Sequence, residues 1–206
     1  MQKFIFGLMI ILLAEANVLY AEPVVEKAAG GSTVEQDKGR SGLYMGLGLG
    51  ASGIQYSEPN LNLNFDGAMF ILKLGYDFNE YLGAEFRIGG TGADAQPVGA
   101  SSVEMGAGFG SIFLKPQLPI NQDFRVYALA GMTNAAFNRK QTVGGVVVLD
   151  DTVTKNGFSY GVGAEYDISD NISFGLEWVQ YWTDIEVRPS MKATIWGAVG
   201  NFNYYF

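Results

Sequence analysis

From Gly42 to Phe206 apolar side chains recur at every second position, and a period of two makes strands rather than helices the main element. Ala68, Phe70, Leu72, Leu74, Tyr76 and Phe78 form one row, with Met69, Ile71, Lys73, Gly75 and Asp77 between them. Leu82, Ala84, Phe86 and Ile88 alternate with Glu85 and Arg87. Phe158, Tyr160, Val162, Ala164, Tyr166 and Ile168 enclose Ser159, Gly161, Gly163, Glu165 and Asp167. Ile172, Phe174, Leu176, Trp178 and Trp182 oppose Ser173, Gly175, Glu177 and Tyr181, with Gln180 interrupting the row. Successive strand side chains point to opposite faces, so one face is apolar and the other holds small and charged residues.

Eight such segments are predicted, near 42–54, 65–78, 81–91, 102–117, 123–137, 157–168, 172–184 and 193–206. Most exceed the roughly 9–11 residues that carry a tilted strand across a bilayer. In the fifth, Arg125 on the inner face puts Val126, Ala128, Ala130 and Met132 outside, and the opposite phase also fits. Short turns at Asn79-Glu80, Pro119 to Gln122 and Ser169 to Asn171 alternate with longer expected loops at 55–64, 92–101, 138–156 and 185–192. That asymmetry suits a closed antiparallel transmembrane β-barrel of eight strands with up-and-down topology, all-β in class. Closure is required because an open sheet edge in lipid leaves N–H and C=O groups unpaired. Aromatics gather near segment ends, as in interfacial girdles. Charged residues are 17% of the chain, below the roughly 25% usual for soluble domains. A soluble β-barrel is the rival reading.

The chain begins with Lys3 and an uncharged apolar run, Phe4 to Ala14, too short for a membrane helix of about 20 residues. This pattern predicts a cleaved signal peptide over residues 1–21. Cleavage is expected after Ala21, which leaves a longer polar region than the competing Ala14-Glu15-Ala16 site. Residues 22–41 have no clear period and read as a flexible periplasmic leader before the barrel at 42–206.

The net charge of −8 argues against nucleic acid, which needs clustered Lys and Arg. There is no cysteine and no histidine, so thiolate ligands and the commonest general base are missing. Neither a catalytic group, a cofactor site nor a metal site is expected. Lys73, Glu85, Arg87, Glu104, Arg125, Glu165 and Glu177 are assigned to the inner face as a lumen charge network. An eight-stranded interior is barely wide enough for its side chains, so these charges must pair or be hydrated. An ion path is the second reading of that set, and a catalytic carboxylate pair the third. Gly48 to Gly53 matches G-x-G-x-x-G, but a dinucleotide site needs a following helix and the period here is two. Small inward residues that make room for large partners explain Gly46, Gly48 and Gly50, and the same is expected of Gly106, Gly108 and Gly110. Val147, Asp150 and Asp151 in the longest loop are the candidate contact surface; a calcium site would need more oxygens in ordered array.

Counting back from Phe206, the outward row reads Phe206, Tyr204, Phe202, Gly200, Ala198, Trp196. A terminal Phe with apolar residues at alternate preceding positions resembles the C-terminal signature of bacterial outer-membrane barrels. With the signal peptide and eight strands, the chain resembles the small OmpA/OmpX-type and opacity-protein-like barrels, the short "porin family" proteins, over roughly 42–206. The resemblance implies the bacterial outer membrane, contact with its lipid and lipopolysaccharide, and a monomer. It also implies that Phe202, Tyr204 and Phe206 are read by the outer-membrane assembly machinery. No peptidoglycan-binding domain, such as follows the OmpA barrel, is expected after Phe206. Enzymes on small barrels, such as lipid A deacylases, phospholipases and omptin-type proteases, depend on histidine, which this chain lacks. The implied role is a non-enzymatic barrel that supports the envelope and presents loops to a host or surface ligand, with a small channel as the alternative.

Overall fold

The computed structural model describes residues 42–59, 61–99 and 101–206. The expected signal peptide, its cleavage point at Ala21 and the expected leader lie outside them. The described elements are eight strands: β1 Gly42–Glu58, β2 Leu61–Asn79, β3 Leu82–Val98, β4 Ser101–Pro119, β5 Phe124–Val143, β6 Val146–Asp167, β7 Ile172–Arg188 and β8 Met191–Tyr205. Each pairs antiparallel with its chain neighbour, and β1 pairs β8 from Tyr44↔Tyr205 to Ser57↔Lys192, closing the barrel.

The side-chain phase explains why this sheet closes. Leu47, Leu49, Leu72, Ile88, Ile112, Leu114, Met132, Val162, Leu176 and Phe202 point outward and are exposed. Tyr44, Lys73, Glu85, Arg87, Lys115, Arg125, Glu165 and Glu177 point inward and are buried. The fifth segment takes the phase with Arg125 inside. Inward glycines admit large neighbours. A Cβ at Gly75 would overlap the Tyr44 ring, and one at Gly163 the Tyr127 ring.

Two expectations are corrected. The longer loops are instead hairpin extensions, and the turns at that end are as tight as those at the other. β5 and β6 run to Val143 and Val146 and are joined by Gly144-Gly145, with φ of 57° and 83°. Positive φ at both central positions matches the right-handed twist of the strands, and glycine adopts it without strain. The phase of β4 is also reversed. Val103, Met105, Ala107 and Phe109 are the buried row, so Gly106, Gly108 and Gly110 face outward with Glu104. A side chain at Gly108 would meet nothing within 4 Å, so no lumen partner needs its smallness.

Both corrections have one cause: polarity inverts along the strands. Near the short turns at 80–81, 120–123 and 168–171 the outside is apolar and the inside charged. Towards the far end the outside carries Asn64, Asp66, Asn134, Asn138, Lys140, Thr152 and Thr154, and the inside carries Ile54, Tyr56, Phe65, Met105, Phe137, Val187 and Ile195. Trp182 follows the same rule. A register shift between Gln180 and Trp182 turns it into the apolar cluster, where it is fully buried, not into the outward row.

Candidate functional site

The lower lumen, towards the short turns, is a closed charge network. Arg87 enters from β3 and binds two carboxylates. Its Nη1 donates to Glu177 Oε1 at 2.6 Å and its Nη2 to Glu177 Oε2 at 3.0 Å, while Nε donates to Glu85. Lys73 Nζ lies 3.3 Å from Glu177, and the Tyr44 and Tyr127 hydroxyls donate to Glu85 and Glu177 at 2.7 and 2.8 Å. The guanidinium also sits 5.1 Å from the Phe113 ring centroid. Bidentate geometry and a flanking ring are what a planar guanidinium offers and an ammonium does not.

A second cluster lies closer to the turns. Glu165 accepts from Ser173 Oγ at 2.6 Å, from the Tyr205 hydroxyl at 2.8 Å and from Asn203 at 3.2 Å, with Lys115 Nζ at 3.5 Å. Arg125 bridges Asp167 at 2.8 Å and Asp77 at 3.7 Å. Lys115 lies between the Tyr44 and Tyr127 rings, 4.7 and 4.9 Å from their centroids. Four cations (Lys73, Arg87, Lys115, Arg125) thus meet five carboxylates (Asp77, Glu85, Glu165, Asp167, Glu177) in a space from which solvent is nearly excluded. Each carboxylate has a cation or hydroxyl partner, which is how buried charges persist.

Of the seven residues assigned to this network, six are in it. Glu104 is not: β4 points it outward on the far extension, opposite Lys140 in the register. Lys115, Asp77 and Asp167 join the network beyond that assignment, and so do the tyrosines that bind the carboxylates. The signal for Lys115 lies in its own strand, where Ile112, Leu114 and Leu118 form an apolar row that forces Lys115 to the other face. Among the described residues no group of three or more acids could hold a metal ion. The Gly48 to Gly53 motif lies inside β1, with no helix after it.

Above the charged half the lumen is apolar. Phe109 and Tyr181 rings lie 4.4 Å apart, and Tyr56 stacks on Phe137 at 6.0 Å. At the mouth Arg139 donates to Glu58 at 2.9 Å and to the Tyr56 hydroxyl at 3.1 Å. The space enclosed beside Tyr56, Phe137, Arg139 and Val187 is about 10 Å³, the room of one water at most.

Beyond the apolar outer band the β5–β6 hairpin continues from Thr133 to Asn156. Its outer face is polar, with Asn134 bonded to Asn156 at 2.6 Å and Thr152 to Asn138 at 2.7 Å. Val146, Val147 and Val148 at its tip are 65%, 48% and 58% exposed, beside the register shift at Gln141/Thr142. Asp150 is exposed, whereas Asp151 pairs with Arg188 of β7. Phe202, Tyr204 and Phe206 all point outward at the short-turn end, and Phe206 N donates to Leu43 O at 3.1 Å.

Residues 28–206 match the family model described as outer membrane protein beta-barrel domain. No curated protein sequence matches the chain. The structure is similar to that of Ail, the attachment invasion locus protein of Yersinia pestis, solved with the heparin analogue sucrose octasulfate. The TM-score is 0.52 at 16% identity, over 79% of this chain and 99% of Ail. Neisserial surface protein A (NspA) aligns with TM-score 0.56 at 14% identity, over 81% of this chain and 98% of its own. The outer membrane protein OprG of Pseudomonas aeruginosa aligns with TM-score 0.53 at 11% identity, over 82% and 98%. At these identities the likeness carries the eight-stranded fold.

Proposed function

The chain belongs to the outer membrane protein β-barrel domain family, a protein of the bacterial outer membrane, and from that premise we propose that it is a non-enzymatic surface barrel whose β5–β6 hairpin makes contacts outside the cell. The observation that carries this reading is the hairpin itself. It extends about eleven residues past Met132 and Phe158, where the apolar outer band ends, or about 35 Å along the strand. It ends in exposed valines, and exposed apolar groups of this kind mark interaction surfaces.

The lumen supports the non-enzymatic part. Glu85 and Glu177 share Arg87 and are sealed from solvent, so neither is available to a substrate. The extension carries Glu58, Asp66, Glu104, Asp150, Asp151, Asp184 and Glu186 against Arg139, Lys140, Lys155, Arg188 and Lys192. A sulfated glycan such as the ligand in the Ail structure needs a cationic patch, and this mixture favours a protein partner.

Replacing residues 138–156 with a short turn tests the reading. Cells carrying the variant should lose adherence to a protein-coated surface while the purified barrel keeps its heat-modifiable electrophoretic mobility. Unchanged adherence would remove the hairpin from the function. A narrow channel is the second reading, favoured by the charges of the lower lumen. Its mark would be conductance in a planar bilayer that changes with Arg87 or Glu177 substitution.

Export completes the proposal. Residues 1–21 act as a signal peptide, so mature protein begins at Glu22, and residues 22–41 form a periplasmic leader; the intact mass of purified protein checks the cleavage. The outer band contacts lipid and lipopolysaccharide, the barrel is a monomer, and Phe202, Tyr204 and Phe206 are the residues offered to the assembly machinery.

A further inference from the structure

The eight-stranded ring is continuous only in its lower part. The β6–β7 ladder runs from Asp167↔Ser173 to Tyr160↔Gln180 and stops, although β6 continues to Val146 and β7 to Arg188. The β2–β3 ladder likewise stops at Met69↔Thr91. Above these points the barrel divides into two four-stranded sheets, β3-β4-β5-β6 and β7-β8-β1-β2, which face each other across the apolar cluster. Among the described residues no ladder joins the two sheets at that level, so side chains hold them together.

Two ion pairs clasp the mouth across this division. Arg188 of β7 pairs with Asp151 of β6. Arg139 of β5 pairs with Glu58 of β1 at 2.9 Å, and its Nη1 also donates to the Tyr56 hydroxyl at 3.1 Å. Tyr56 stands at the centre of the second clasp. Its hydroxyl has one proton and two acceptors in reach, Glu58 Oε1 at 2.7 Å and Met191 Sδ at 3.0 Å. A carboxylate is a far stronger acceptor than a thioether, so the proton goes to Glu58 and the sulfur keeps its lone pairs free.

Met191 opens β8 directly after the two-residue turn Pro189-Ser190, where Ser190 has a φ of 65° and Arg188 pairs with Met191. It is partly exposed at the mouth and packs against the apolar cluster. The other described methionines are placed differently. Met69 and Met105 are buried within the cluster, and Met45 and Met132 point outward in the apolar band. Among the described residues Met191 is therefore the methionine that a water-borne reagent meets first.

We propose that Met191 is an oxidation site, and that its sulfoxide loosens the Arg139–Glu58 clasp between the two sheets. The reagent class is a peroxide or a hypohalous acid that reaches the cell surface. With hydrogen peroxide, a sulfur lone pair attacks one peroxide oxygen, the O–O bond breaks and an S–O bond forms. The proton on the transferred oxygen passes to the departing hydroxide, which leaves as water. Sulfur loses two electrons and the peroxide gains them. The product is polar where the thioether was apolar, and its oxygen is a strong acceptor. That oxygen competes with Glu58 for the Tyr56 proton and for the guanidinium, whose Nε has no acceptor among the described residues. It also suits packing against the apolar cluster less well than the thioether does. Both effects fall on the joint between the sheets, while the lower ring keeps its continuous ladders. Reduction of the sulfoxide restores the thioether and, with it, the clasp. This device does not depend on the contact role proposed for the β5–β6 hairpin.

The test uses the full barrel in nanodiscs, treated with hydrogen peroxide and mapped by peptide mass. Met191 should take up one oxygen about tenfold faster than Met69 and Met105. Hydrogen exchange then reads the clasp. After oxidation the amides of residues 54–58 and 135–139 should exchange about tenfold faster, while those of the lower ring stay as they were. Methionine sulfoxide reductase should restore the slow exchange. Met191→Leu has no thioether, and peroxide should leave its exchange unchanged. In Tyr56→Phe the sulfur is still oxidised, but the further rise in exchange should be much smaller, because no hydroxyl couples the sulfoxide to Glu58. Heat-modifiable mobility verifies that each variant is folded, and the wild-type measurements need no variant. Oxidation of Met191 no faster than that of the buried methionines, or oxidation without faster exchange in the two segments, would overturn the proposal. So would equal acceleration in the lower ring or in Met191→Leu, since the oxidant would then act elsewhere.

Discussion

Arg87 illustrates what a buried charge does to this barrel. Its guanidinium binds Glu85 and Glu177 together, so Arg87→Ala leaves two carboxylates to share the single cation Lys73 where water does not reach. The expected loss is about 3–5 kcal/mol by denaturant unfolding in micelles. Replacing Lys73, Arg87, Glu85 and Glu177 together by apolar residues of similar volume should cost less than the single change, because no orphan charge remains. A quadruple variant less stable than Arg87→Ala would show the pairs to be worth more than their desolvation. On the outer face the rule reverses. Leu72→Arg should destabilise by about 2–4 kcal/mol if Leu72 lies near the bilayer midplane, and an effect near zero in the same assay would take it out of the lipid-facing row. Burial of charge is tolerated on one side of a strand and refused on the other, within a single residue step.

At the scale of the element, a strand in this protein is two different strands end to end. β5 shows it: Ala128, Ala130 and Met132 face out beside inward Arg125 and Tyr127, then Asn134, Asn138 and Lys140 face out beside inward Ala135 and Phe137. The lower halves were legible in the sequence because one template, apolar outside and polar inside, fits the lower parts of β2, β3 and β6. The upper halves follow the opposite template, that of a soluble sandwich. Reading Glu104 against the lower template puts it inside and misplaces Gly106, Gly108 and Gly110 with it. Trp182 needed knowledge of a register shift, which no spacing in the chain announces. The charges of the network were recognisable as inward residues, but their partners were not, since Tyr44, Tyr127 and Tyr205 look like any other aromatic in a strand. Inversion also predicts where polar substitutions are tolerated. Thr152→Lys on the outer face of the extension should leave stability within about 0.5 kcal/mol, whereas Phe137→Lys beneath it should prevent folding or cost several kcal/mol, as judged by the unfolding midpoint.

At the scale of the molecule, closure joins the two ends of the barrel. β8 pairs with both β7 and β1, and the outward row it carries ends at Phe206, so the last strand is the one that closes the ring. Phe206→Ala should slow insertion and lower the amount of protein in the outer membrane, measured by fractionation and folding kinetics; wild-type values for both would remove the terminal residue from assembly. The folded barrel should migrate differently on gels before and after boiling, because a ring without edges in its lower part resists detergent. A closed lower ring under a divided upper part also has a mechanical meaning. β6 is one unbroken strand of 22 residues from the valine tip to the short-turn end. Tension applied at the tip pulls β5 and β6 together and loads the β4–β5 and lower β6–β7 ladders in shear, many hydrogen bonds at once, instead of peeling them one by one. The anchor of the hairpin is therefore the whole lower ring, and a tether held at Val146–Val148 would strain the membrane before it unzipped the protein.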